Sequence, residues 1–182
     1  MESIVTWTNS ALQRFHTHSC FSPLVEELKK ILSTTDIAAL HHGGATTQVM
    51  KQLTPDFKTN RWHSQQPLVP EFPSGMPSAN YQIDFQKAFD AEGCDSRHLL
   101  SVEFCFDNRQ AIGTNLLKAE LASARFETSE NRVALNALVV LSDRTKKAGQ
   151  WDGSVGIAEE YLAALNTCYP QLESTPILFM TI

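Results

Sequence analysis

Apolar residues recur at helical spacing through the first third of the chain. In "SPLVEELKKIL" Leu24, Leu28, Ile31 and Leu32 share one face, with Ser22 placed as N-cap and Pro23 at the first helical position. "STTDIAALHHGGATTQVMKQL" continues with a second helical stretch, a break at Gly43 and Gly44, and a third short helix. Residues 67–78, "PLVPEFPSGMPS", carry four prolines and a glycine, which suits an ordered connector and not a helix. After the connector the period shortens to two. "NYQIDF" sets Tyr81, Ile83 and Phe85 against Gln82, Asp84 and Gln86, and "HLLSVEFCF" sets Val102, Phe104 and Phe106 against Ser101, Glu103 and Cys105. "AIGTNLLKAELASARF" lays Ile112, Leu116, Leu117, Leu121 and Ala124 along a helical stripe, and "VALNALVVL" is the continuous apolar run of a buried strand. A helix over about residues 154–166 follows, with Val155, Ala158, Leu162 and Leu165 at helical spacing, before a last buried strand, "PILFMTI". Helices followed by β-β-α-β-α-β predict an α/β fold: a mixed central β-sheet flanked by helices.

A chain of 182 residues can bury one substantial core, so a single domain is expected over 1–182. Its parts are a helical N-terminal portion, 1–66, the Pro-rich connector, 67–78, and a sheet core, 79–182. With no signal-like apolar run at the N-terminus and no membrane-spanning stretch, a cytoplasmic protein without a membrane partner is expected. Cys20, Cys94, Cys105 and Cys168 are widely separated and form no CxxC pair, which favours free buried thiols over a disulfide framework or zinc ribbon. The net charge of −5 gives no general attraction for polyanions, so a nucleic-acid contact would need a local basic surface. Arg97, Arg109, Lys118, Arg125, Arg132, Arg144, Lys146 and Lys147 supply candidates, and "SDRTKKAGQ" reads as a basic loop. His16, His18, Cys20, His41 and His42 are candidate metal ligands without the paired spacing of a zinc finger.

The sharpest chemical signal is Glu103, a carboxylate between Val102 and Phe104 on a strand that otherwise reads as core. Such a group is expensive unless it is paired, hydrogen-bonded, at a wet cleft or bound to a metal. Asp84, on the polar side of the preceding strand, can join it on one side of a sheet. Two carboxylates so placed outline a site for a hard divalent cation such as Mg²⁺, which takes oxygen ligands and leaves room for water and phosphate oxygens.

"IDF", "LLSVEFCFDN", "LLKAELASARF", "VALNALVVL", "AGQWDGS" and "EEYLAALN", in that order, resemble the BglII/BstYI group of type II restriction endonucleases over about residues 80–182. "GGATTQVMKQLTPDF" extends the resemblance more faintly upstream. The resemblance implies a restriction-endonuclease-like core of the PD-(D/E)xK superfamily and a single nuclease domain. It also implies a Mg²⁺-dependent homodimer that cuts both strands of double-stranded DNA at a short, GATC-centred palindrome. Asp84 and Glu103 match the catalytic metal ligands, with the backbone carbonyl of Phe104 as a third. The remaining catalytic position, Lys in the superfamily and Gln in this group, is Cys105, a weak donor with no fixed charge. For DNA contacts, Asp107 and Asn108 match the position after the catalytic strand, and Gln150, Trp151, Asp152 and Ser154 match the later recognition loop. Asn60 and Arg61, in "FKTNRW", match a segment near the family's active site, and Lys118 joins the DNA-contacting set. Two other readings remain open: a DNA-binding relative with weak or no catalysis, and a small His/Cys metal-binding regulatory protein.

Overall fold

The computed structural model describes residues 4–5, 19–34, 45–68, 81–89, 93, 97–106, 108–129, 132–168 and 177–182. Six strands form one mixed sheet in the order β1-β6-β5-β4-β3-β2. They are β1 (Ile4–Val5), β2 (His63–Pro67), β3 (Gln82–Phe89), β4 (Arg97–Phe104), β5 (Arg132–Val140) and β6 (Ile177–Thr181). Helices α1 (Ser22–Leu32) and α2 (Ala45–Thr59) precede β2 in the chain. β4, β5 and β6 are mutually parallel, so each step between them needs a crossover. Helix α3 (Ile112–Ser129) makes the first, and α4 (Asp143–Ala148) with α5 (Ala158–Cys168) makes the second. β2, β3 and β1 pair antiparallel to their neighbours.

Strand alternation decides which residues meet which helices. Val102, Phe104 and Phe106 join Phe85 and the apolar faces of α1 and α2 in one core layer, where the Phe57 ring stacks on Phe85 at 3.9 Å. The opposite face carries Cys105, Leu138 and Phe179, covered by Ile112, Leu116 and Ala119 of α3 and by Tyr161 and Leu165 of α5. Glu27 of α1 binds the first face to the sheet. Its carboxylate accepts from Lys87 Nζ at 2.7 and 2.8 Å and from Trp62 Nε1 at 2.6 Å, and Lys87 also donates to the Asn60 carbonyl at 2.8 Å.

Several expectations change. The N-terminal portion is not purely helical, since β1 and β2 are edge strands of the sheet. The third helix is not short: α2 runs for 15 residues with Pro55 inside it. Ser22 is the first residue of α1 and not its cap; Phe21 stands at the N-cap, after a 3₁₀ turn at Ser19–Phe21. The basic loop contains α4, which Ser142 caps by accepting from the Thr145 amide at 3.0 Å. Pro67 ends β2 and Leu68 is buried, while the rest of the connector lies outside the described residues. Cys20 is disulfide-bonded, which corrects the expectation of free thiols there and removes it as a metal ligand. Cys105 is free and buried. His16, His18, His41 and His42 lie outside the described residues. Among the described residues no helix is long and apolar enough to cross a membrane.

Candidate active site

Glu103 lies near the C-terminal end of β4 and Asp84 near the start of β3. The described β3–β4 pairing runs from Phe89 and His98 to Phe85 and Val102, and the next register step is Asp84 opposite Glu103. There each carboxylate takes a backbone donor from the other strand. The Phe104 amide donates to Asp84 Oδ2 at 2.9 Å, and the Asp84 amide donates to Glu103 Oε2 at 3.3 Å. This reciprocal clasp fixes both carboxylates on the sheet face beneath α3.

Lys118, from the second turn of α3, completes the group. Its ammonium donates to Glu103 Oε1, and the two side chains are only 15% and 5% exposed. Burial pushes the Glu103 carboxyl up to about 8; the charge of Asp84 adds to the shift and Lys118 opposes it. Burial alone would lower Lys118, but Glu103 outweighs it and holds the ammonium above its ordinary value. Among the described residues no three or more His, Cys, Asp or Glu side chains converge. The site is therefore a two-carboxylate, one-lysine cluster. Two carboxylates side by side, one of them nearly buried, are oxygen donors of the kind a hard divalent cation takes.

A polar floor adjoins the acid pair. Two register steps along, on the same sheet face, Gln86, Ser101 and Asn136 lie side by side on β3, β4 and β5. Asn136 Nδ2 donates to Ser123 Oγ of α3 at 2.8 Å, while Gln86 Oε1 and Ser101 Oγ are buried without a hydrogen bond. Polar groups in such a position are commonly met by buried water.

Cys105 borders the cluster from the core side, close enough to Lys118 for its charge to help raise the ammonium. It is 0% exposed, packs with the α3 and α5 core, and its thiol lies 3.7 Å from the Glu103 carbonyl. The polar partner of Glu103 comes from a helix 15 residues downstream, a relation no strand motif encodes. Lys118 thus sits in the acid site itself. Phe104 is buried, and its amide is committed to Asp84.

The two expected base-reading segments are brought together. Asn108 pairs with Val155 in an antiparallel bridge, the Arg109 amide donates to the Ser154 carbonyl at 2.9 Å, and Arg109 Nη1 donates to the Gly153 carbonyl at 2.8 Å. Lys146 Nζ fastens the same loop by donating to the carbonyls of Gly153 and Val155. Asn108, Gln150, Asp152 and Ser154 are exposed on this joined surface. Asn108 Oδ1 accepts from the Gln110 amide and Asp152 Oδ1 from the Ser154 amide, so both also shape their turns. Donation from Ser154 holds the Asp152 carboxyl below its usual range. Trp151 is a packing residue: its half-buried ring meets Phe106 at 5.6 Å. Asp107 lies outside the described residues. Asn60 is not brought to the acid pair, because its carbonyl meets Lys87, which points to the opposite sheet face. Arg61 beside it is exposed. A cavity of about 170 Å³ lined by Glu27, Lys30, Ile31, Thr34, Asp56 and Asn60 also lacks any residue of the acid pair.

No protein-family model matches the chain, and no curated protein matches it in sequence.

Proposed function

We propose that this protein is a Mg²⁺-dependent endonuclease that hydrolyses phosphodiester bonds of duplex DNA. The observation that carries the reading is the meeting of Asp84, Glu103 and Lys118 from three separate elements, with both carboxylates oriented by backbone amides. Carboxylates placed side by side at the end of a strand pair are costly to fold around, and a cation-dependent reaction gives the arrangement a purpose. Asp84 and Glu103 would hold the metal, joined by the carbonyl of Phe104. The chemistry such a cation would supply there is polarisation of a phosphoryl oxygen and activation of a water.

The chain's own groups do the rest. The amides of Phe104 and Asp84 orient the carboxylates. Lys118, which now neutralises part of Glu103, is placed to turn toward a phosphate oxygen and stabilise charge that grows in the transition state. The zipped surface of Asn108, Gln150, Asp152 and Ser154 offers amide, carboxylate and hydroxyl groups of the kinds that read base edges in the major groove. A homodimer acting on a short palindrome, GATC-centred by resemblance to the BglII/BstYI group, is part of the proposal.

The test is incubation of the purified protein with unmethylated plasmid DNA and Mg²⁺. Discrete fragments are expected, abolished by chelation and by Asp84→Asn, Glu103→Gln or Lys118→Met. Absence of cutting with both Mg²⁺ and Mn²⁺ by well-folded protein overturns the reading.

A further inference from the structure

β2 borders Asp84 on the side away from Glu103. His63 pairs with Gln86, Ser64 with Phe85, Gln66 with Ile83 and Pro67 with Gln82, so Gln65 holds the register position across from Asp84. Residues opposite one another share a sheet face, which places Gln65, Asp84 and Glu103 in one row. Unlike Cys105, Gln65 is exposed. It also stands in the left-handed region, at φ 53, in the middle of a strand.

The other non-glycine residues at positive φ among those described have an ordinary reason for it. Arg61 and Gln150, at φ 61 and 50, follow the ends of α2 and α4, where chains commonly leave a helix through this conformation. Gln65 has no helix end beside it. Uncommon backbone at a non-glycine residue concentrates where a side chain must meet a ligand.

The chemistry of the row favours a phosphate contact. A phosphodiester approaching two carboxylates needs donors around it. Lys118 serves the α3 side of the acid pair and the Cys105 thiol is buried, so a donor on the β2 side must come from β2 itself. A glutamine carboxamide is a neutral donor of the kind that positions nucleic-acid backbones. We infer that Gln65 is a substrate contact: its carboxamide donates to a non-bridging phosphate oxygen of duplex DNA beside the acid pair. This rests on the nuclease reading above.

Gln65→Gly, Gln65→Asn and Asp84→Asn test it beside the wild type, by thermal melting, affinity for a labelled duplex in Ca²⁺, and single-turnover cleavage in Mg²⁺. Glycine adopts positive φ without strain, so Gln65→Gly should melt at or above the wild-type temperature. It should nevertheless bind duplex about five-fold more weakly and cleave about ten-fold more slowly, the scale of one lost polar contact. Gln65→Asn, which keeps a carboxamide, should retain more of both. If Gln65→Gly binds and cleaves like the wild type while Asp84→Asn is inactive, the Gln65 contact is wrong and the acid site stands. If the wild type binds without cutting, affinity decides: a five-fold loss in Gln65→Gly supports the contact, and no loss overturns it. Wild-type protein that neither binds nor cuts, with Asp84→Asn indistinguishable from it, overturns both readings.

Discussion

Glu103 and Lys118 form a pair in which each side chain changes what the other costs. Glu103 holds its proton more tightly folded than unfolded, its carboxyl being raised from 4.5 to about 8. Its contribution to stability is therefore full below about pH 4.5 and lost as pH rises through about 8. The metal-free protein should lose stability over that window in denaturant melts, with a smaller slope in Asp84→Asn, since Asp84 is the second cause of the shift. Mg²⁺ should flatten the slope in the wild type. Lys118→Met sharpens the same argument. At pH 6 Glu103 can neutralise itself by binding a proton, so the variant should lose only about 1 kcal/mol, whereas at pH 9 the stranded carboxylate should raise the loss toward about 3 kcal/mol. A loss independent of pH would show that Lys118 acts through packing alone. Cys105 gives a different residue-scale result. The sequence resemblance makes Cys105→Gln look like restoration of a missing donor, but Cys105 is fully buried in the core cluster that includes Leu116, Ala119 and Tyr161. The larger side chain should overpack the core, destabilise by about 1–3 kcal/mol and bring no gain in cleavage.

At the scale of elements, legibility followed the apolar signal. β3, β4, β5, β6 and α1 were readable because Phe85, Val102, Phe104, Leu138 and Leu28 repeat at the right period, and the same alternation placed Asp84 and Glu103 on one face. β2 was not readable. "HSQQP" contains no Val, Ile, Leu, Met, Phe, Tyr or Trp, and the strand exists through its backbone pairing with β3. α3 reads as a helix, and part of its expected stripe faces the core: Ile112 and Leu116 are buried and Leu121 packs half-buried, whereas Leu117 is 45% exposed and Ala124 is exposed, and the small residues Ala119, Ala122 and Ser123 are buried beside them. Small residues let the helix approach closely, and a hydrophobicity stripe does not weight them for that. Lys118 escaped its role for the same reason: its register on α3 follows from packing. The Lys146 staple offers a test at this scale. Lys146→Met should free the Val155 carbonyl, leave the Gly153 carbonyl to Arg109 alone, and cost about 1–3 kcal/mol locally. Hydrogen exchange at the Arg109 and Val155 amides should accelerate together, while β5 stays protected.

Across the molecule, charge and assembly pull on the same question. Much of the candidate basic surface is occupied within the fold: Arg109 pairs with Glu160, Lys118 with Glu103 and Lys147 with Asp143, and Arg125 lies over the Phe126 ring. With the chain at net charge −5, the proposed contact with a polyanion must come from local groups and not from a general field, and the proposed homodimer would bring two such sets of groups to one duplex. Leu117, the exposed large apolar residue of α3, is the side chain to perturb. Light scattering should give a dimer mass with DNA present, and Leu117→Glu should shift it toward monomer; a monomer under all conditions rules out the paired arrangement. The strand order carries one more consequence, in time. β1 pairs with β6 through Ile4–Thr181 and Val5–Met180, and the core layer under α1 and α2 includes Leu178, Met180 and Ile182. The amphipathic helices are therefore synthesised before β6, the strand whose residues help to cover them. Contacts of such long sequence separation slow folding, so nascent chains should remain open to chaperones until β6 has emerged.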